Sequence, residues 1–267
     1  MTLRFSRTPR FIKVILVLAF IVPLFTPMNF VVLQPGQGTA LFPKVLTVKS
    51  SDAKTYKPTG EAYLLAIWVS TPDAKVLGAE VLGCWARADC VVFPRSVIYK
   101  RHTSSKAEDV AAKKEMKVSQ SDALTAAKKF LAMRYPAIDT SRLSDSSIMV
   151  DLPETGGPSG GFIFSLGLVE LLTPEDLLQG RRVAGSGTIA ADGSVGAIGG
   201  ISEKIIAAKR AGATILFASR SNCNEIAKNV QGITIIAISN LSEAVDYLKE
   251  PISQRATGLT GCTNLGV

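Results

Sequence analysis

The sequence predicts an α/β (α+β) fold, with a strand-rich region and a membrane anchor ahead of the main domain. Two observations carry this. Strand-like apolar runs alternate with amphipathic helical patterns through the C-terminal half, which argues for a sheet that is parallel at least in part. A basic N-terminus also precedes an uncharged stretch, residues 14 to 33, long enough to cross a bilayer. The apolar fraction of 47% over 267 residues suffices for a core.

The elements are taken in chain order. Arg4, Arg7, Arg10 and Lys13 lie ahead of VILVLAFIVPLFTPMNFVVL, with only Lys44 and Lys49 in the segment just after it. That asymmetry places the N-terminus in the cytoplasm and the rest outside. The exit FTPMNF offers no small-x-small cleavage site, so residues 1–33 are expected to be a basic tail and an uncleaved single-pass anchor. Residues 34–105 alternate apolar runs (KVLTVKS, AYLLAIWVS, GCWARADCVVFPRSVIY) with turn residues, a strand-rich membrane-proximal region. KRHTSSKAEDVAAKKEMK, residues 100 to 117, reads as an exposed connection, partly helical.

The main domain is expected over 106–250. Ser119 caps a helix with Ala123, Leu124, Ala127, Phe130 and Leu131 on one face, ended by Pro136. SIMVDL is a strand leading into ETGGPSGG, and FIFSLGLVELL, apolar all round, is a buried helix. TPEDLL starts a second helix with Thr173 as cap. RRVAGSGTIAADGSVGAIGG is a strand, an Asp192-Gly193 turn and a returning strand. SEKIIAAKRAG, NCNEIAKNV and LSEAVDYLKE are helices, interleaved with the strands ATILFAS and ITIIAIS. The tail 251–267 is expected to be mobile.

Several function classes drop out. The net charge is +8, but Lys and Arg are scattered and no aromatic-basic motif occurs, so no nucleic-acid partner is expected. His102 is the single histidine and lies in the polar connection, which excludes a Ser-His-Asp triad unless that connection folds over the site. Neither HExxH nor GxxxxGK[ST] is present, so neither a metal nor a P-loop nucleotide, nor any other cofactor, is expected. Cys84, Cys90, Cys223 and Cys262 permit three pairings, or none.

Two features remain for chemistry. Ser159 sits among Gly156, Gly157, Pro158, Gly160 and Gly161, at the mouth of an apolar helix. A glycine turn opening a helix presents backbone N–H groups to an anion; a tight turn, a phosphate loop and a nucleophile loop all fit it. A serine nucleophile without histidine needs another base, for which a neutral lysine serves. Lys204 is the candidate, on the first turn of a glycine-led helix. To act at neutral pH its amine must fall by roughly three pKa units, most of it through desolvation.

Together these pieces resemble the proteolytic domain of Lon-type serine endopeptidases, over residues 156 to 219 and more weakly to about residue 249. The family motif GPSxG falls on Gly157 to Gly161, and IGGxxEK on Ile198 to Lys204. The resemblance implies Ser159 as nucleophile and Lys204 as general base. It implies Ser186, where much of the family has threonine, as the hydroxyl that supports the lysine. Gly157, Pro158, Gly160 and Gly161 would form the oxyanion and substrate loop. Gly156 stands where ATP-dependent members often carry an acidic residue. The layout is similar to membrane-anchored, externally facing Lon-like proteases of Gram-positive bacteria, but TSRLSDS, between RYPAID and SIMVDL, leaves no room for their PDZ domain.

The chain is therefore expected to be an ATP-independent, membrane-anchored serine endopeptidase acting on flexible or unfolded exported polypeptides. A hexameric ring is implied by resemblance only. The rival expectations are a membrane-tethered, non-catalytic scaffold with the same fold and a glycine-loop nucleotide-binding protein.

Overall fold

The computed structural model describes residues 9–152, 156–251 and 258–262. The chain begins with α1 (Arg10–Phe25), β1 (Pro27–Met28), β2 (Phe30–Ala40), β3 (Leu46–Val48) and β4 (Glu61–Val69). It continues through β5 (Val76–Leu77), α2 (Gly78–Trp85), β6 (Val91–Pro94), α3 (Arg95–Ile98), α4 (Ser105–Arg134) and β7 (Ile148–Val150). It then runs through α5 (Gly161–Leu172), β8 (Arg182–Ser186), β9 (Thr188–Ile189), β10 (Val195–Gly196) and α6 (Ile201–Arg210). The last elements are β11 (Ile215–Ser219), β12 (Thr234–Ile238), α7 (Leu241–Lys249) and β13 (Leu259–Thr260). The chain divides into two compact units, Met1–Gln34 with Trp68–Ser105, and Pro35–Ile67 with Lys106–Val267.

In the larger unit the strand order is β13-β12-β11-β8-β4-β2, and the ladders from β13 through to β4 are parallel. Side chains on a strand alternate between faces, so a sheet buried on both sides must be apolar at successive positions. Ala62, Leu64, Val183, Phe217, Ile236 and Ile238 enter one core, with α4, α5 and α7. Tyr63, Leu65, Ala184, Leu216, Ala218 and Ile235 enter the other, with α6. Helices therefore cover both faces. The helix α5 lies inside the first core with all twelve residues buried, the outcome its unbroken apolar pattern required.

In the smaller unit β2 pairs antiparallel with β6 from Phe30↔Pro94 to Leu33↔Val91, and β1 pairs with β5. Here the anchor expectation needs correction. The apolar stretch 14–33 is not one helix: α1 stops at Phe25, and Val31 and Leu33 are strand residues, 0% and 5% exposed. At about 1.5 Å per residue, a helix of 16 residues falls short of a hydrocarbon core of about 30 Å. Among the described residues no helix is long and apolar enough to cross a membrane.

Other elements also differ from expectation. The α4 helix starts at Ser105 rather than Ser119, because nothing in AEDVAAKKEMKV breaks it; Ser119 is an interior residue, 3% exposed. TPEDLL is not helical. The buried Glu170 carboxylate accepts from Leu177 N (3.0 Å), and Asp176 from Gln179 N (3.0 Å), so side chains satisfy the backbone that a helix would have paired. NCNEIAKNV gives only a 3-10 turn, Arg220–Glu225, and residues 78–85 form α2 rather than a strand. The strand-rich region expected over 34–105 is shared out, with residues 35–67 in the larger unit. Within the tail, β13 pairs with β12.

The cysteines pair as Cys84–Cys90 and Cys223–Cys262, with Cα separations of 5.1 and 5.4 Å. The second bridge spans 39 residues and ties the tail beyond β12 back to the sheet. Chain-entropy arguments give a loop of that size about 4 kcal/mol of stabilisation. Cys223→Ala with Cys262→Ala is expected to lower the denaturant midpoint, and an unchanged midpoint in urea unfolding would show the bridge to be dispensable.

Candidate active site

Strand β8 runs into the site at Ser186, and the glycine loop around Ser159 closes on it from the N-terminal end of α5. A 3-10 turn, Pro158–Gly160, holds Ser159 and leads directly into α5. Gly157 precedes it at φ 89°, a left-handed conformation that L side chains rarely adopt. The Ser159 carbonyl accepts from Gly187 N (3.0 Å) and Ser186 Oγ (3.3 Å), and Gly187 O accepts from Phe162 N (3.1 Å). The serine backbone is therefore fixed on both sides to the end of β8.

Lys204 lies on the first turn of α6, where Gly200 takes the N-cap position at φ 69°. Its Nζ is 2.6 Å from Ser159 Oγ and 2.9 Å from Ser186 Oγ. Lys204 is 2% exposed, and burial pushes its amine down to about 7. No carboxylate contributes to that shift, so both protonation states of the amine are accessible at neutral pH. A neutral amine has two N–H bonds and one lone pair. Ser186 uses its own proton on the Ser159 carbonyl and so accepts an N–H from Lys204, and the neutral form of the amine has a lone pair within reach of the Ser159 hydroxyl.

Within the loop the N–H groups divide. Gly157 N–H goes to Ala112 O (2.9 Å), Gly161 N–H to Pro158 O, and Pro158 has none. Gly160 lies inside the 3-10 turn, whose i→i−3 pairing engages its N–H with Gly157 O, whereas the Ser159 N–H makes none of the backbone hydrogen bonds described. His102 is an exposed loop residue at φ 62° and makes none of the hydrogen bonds described around Ser159. No cluster of metal-ligating side chains occurs among the described residues.

The sequence did not disclose the part played by α4. Ser119 Oγ donates to Pro158 O (2.9 Å), while Ala112 O receives the Gly157 N–H (2.9 Å). A Cβ at Gly156 would lie 2.6 Å from the Ala112 Cβ, and one at Gly161 would lie 2.6 Å from Ser119 Oγ. The glycines around the serine thus let a helix press against the loop. Glycine rather than an acidic residue at 156 has a steric reason here. Gly156→Ala is expected to lower kcat about tenfold through loop displacement, as overpacking of 1–3 kcal/mol would give, and Ala112→Gly in the same chain to restore it. Failure of the second change to rescue activity in steady-state assays would remove that steric explanation.

Sequence similarity covers the part of the chain that holds this site. The Lon protease (S16) C-terminal proteolytic domain matches residues 107–250. The chain belongs to the Lon protease (S16) family. Lon protease 2 of Herpetosiphon aurantiacus is 31% identical over 131 residues, 45% of this chain and 16% of that protein. The mitochondrial Lon protease homolog of Debaryomyces hansenii is 35% identical over 155 residues, 55% of this chain and 14% of the homolog. Lon protease 2 of Bacillus subtilis is 34% identical over 110 residues, 39% of this chain and 19% of its own length. The chain thus spans under a fifth of each of these relatives. In this Lon proteolytic domain the stretch carrying Ser159, Ser186 and Lys204 lies wholly inside the matched residues.

Proposed function

We propose that the chain is a serine endopeptidase in which Ser159 is the nucleophile and Lys204 the general base. The observation that carries this is the 2.6 Å contact between Ser159 Oγ and the Nζ of a buried lysine with a pKa of about 7. Neutral Lys204 takes the Ser159 proton as Oγ bonds to the peptide carbonyl carbon, and the carbonyl π pair moves onto oxygen. The Ser159 N–H, in the Gly157 to Gly161 loop, stabilises that oxyanion. The oxyanion then collapses, the C–N bond breaks, and the Lys204 ammonium returns the proton to the leaving amine. Water, deprotonated by Lys204, attacks the acyl ester and releases Ser159.

Substrates on this reading are flexible or unfolded segments, cut without ATP, a reading supported by the lack of a GxxxxGK[ST] motif in these 267 residues. Two disulfides suit an oxidising, extracytoplasmic setting. The helix α1 has no buried residue, and Phe11, Phe20 and Phe25 are 64%, 76% and 68% exposed. A helix apolar all round from Val14 onward, with Arg10 and Lys13 in its first turn, favours attachment to a membrane. Hydrolysis of an unfolded protein by the full chain in detergent, without nucleotide, is the test. Ser159→Ala is expected to abolish it, and activity that survives this change would assign the hydrolysis to other groups.

A further inference from the structure

Both tryptophans of the chain, Trp68 and Trp85, lie in the smaller unit, and they are 65% and 66% exposed. Trp is highly buried on average, and in membrane proteins it gathers at the headgroup level. Trp85 stands one turn from Leu82 on α2; these two face outward while Val81 and Cys84 are buried, so α2 is apolar on both sides. Water does not favour such a helix.

The position of α2 is fixed by α1. Gly78 N donates to Thr26 O (3.3 Å), and a Cβ at Gly78 would lie 2.1 Å from the Pro23 carbonyl oxygen. The short helix α3 starts at the same end, where Arg95 N donates to Asn29 O (3.0 Å), and its Val97 is 66% exposed. Leu82, Trp85 and Val97 thus belong to elements fixed within a few residues of where α1 stops.

Charge follows the same division. The smaller unit holds nine Lys and Arg against three Asp and Glu; four of the nine, Arg4, Arg7, Arg10 and Lys13, belong to the N-terminal stretch, which leaves five against three in the rest of the unit. The larger unit is nearly balanced, with twenty-one against nineteen. Arg87 is paired with Asp89 and Arg95 is held by Ala74 O, whereas Lys75, Lys100 and Arg101 are exposed.

We infer that the smaller unit makes a second lipid contact beside α1: Leu82 and Trp85 of α2, with Val97 of α3, seat in the headgroup region of an anionic bilayer. Exposed apolar side chains with the exposed Lys75, Lys100 and Arg101 in the same unit match the combination that holds interfacial helices on anionic lipid. The inference rests on the proposed membrane attachment through α1, and deepens it.

The test uses the full chain with Trp68→Phe, so that Trp85 is the sole tryptophan fluorophore, reconstituted into phosphatidylcholine vesicles with or without phosphatidylglycerol. Trp85 emission is expected to shift to shorter wavelength and to be quenched by lipids brominated high on the acyl chain, more strongly with phosphatidylglycerol. Adding Leu82→Glu is expected to reduce both signals while the protein still floats with the vesicles and keeps its hydrolytic activity. Flotation with unchanged Trp85 emission overturns this contact and leaves attachment through α1 standing. Absence of flotation overturns both. An emission shift that grows with protein concentration without lipid overturns the contact in favour of a second copy of the chain.

Discussion

Replacing Lys204 by Met is expected to abolish hydrolysis and, at pH 7, to make the protein more stable than the wild type. The two effects have one cause. Burial pushes the amine from 10.5 to about 7, so between those values the unfolded chain holds a proton that the folded chain lacks. Stability therefore rises with pH across that window, and the cost of burying Lys204 is greatest below about pH 7. That cost is about 4 kcal/mol at pH 7 and about 2 kcal/mol at pH 9, as 1.36 kcal/mol per pKa unit gives. Lost hydrogen bonds to Ser159 and Ser186 offset part of the gain, so a net stabilisation on the order of 2 kcal/mol is expected at pH 7. It should shrink at pH 9. Urea unfolding at both pH values measures this; a destabilised Lys204→Met, or a gain that grows with pH, would contradict the buried, depressed amine. The rate should fall by a factor on the order of 10³ or more, because a general base and its nucleophile act as one unit.

The second large effect is on pH dependence. If neutral Lys204 is the base, kcat/KM rises about tenfold per pH unit below pH 7 and levels off above it. The midpoint reports the free protein, where burial alone sets the amine near 7. A profile already flat at pH 5 would require a base other than this lysine. Ser186→Ala offers a contrast. It removes a partner that orients the amine without changing its burial, so kcat is expected to drop while the midpoint stays near 7.

Much of the larger unit was legible because its strands are buried on both faces and its helices are amphipathic or wholly apolar. The strands at 215–219 and 234–238 and the helices at 161–172, 201–210 and 241–249 each carry their own signal. The errors cluster where a remote partner overrides local preference. Ser119 looks like a cap, yet its hydroxyl serves Pro158, thirty-nine residues away. TPEDLL has every sign of a helix start, yet Glu170 and Asp176 supply its backbone partners. The apolar run at 14–33 was long enough to span, but its last four residues pair with β6 instead.

The sequence by itself determined the chemistry available: one serine in a glycine loop, one lysine on a glycine-led helix, no usable histidine, and apolar periods that require a sheet with helices on both faces. Those are local properties of composition and spacing. Tertiary structure alone decided that Lys204 reaches Ser159, because residues 45 apart meet only once β8 and α6 are packed. It also decided that the amine sits near 7, since burial is a property of everything around it. The same holds for the pairing of Cys223 with Cys262 and the hold of α4 on the loop around Ser159. Each depends on contacts between segments far apart in the chain, which no local pattern encodes.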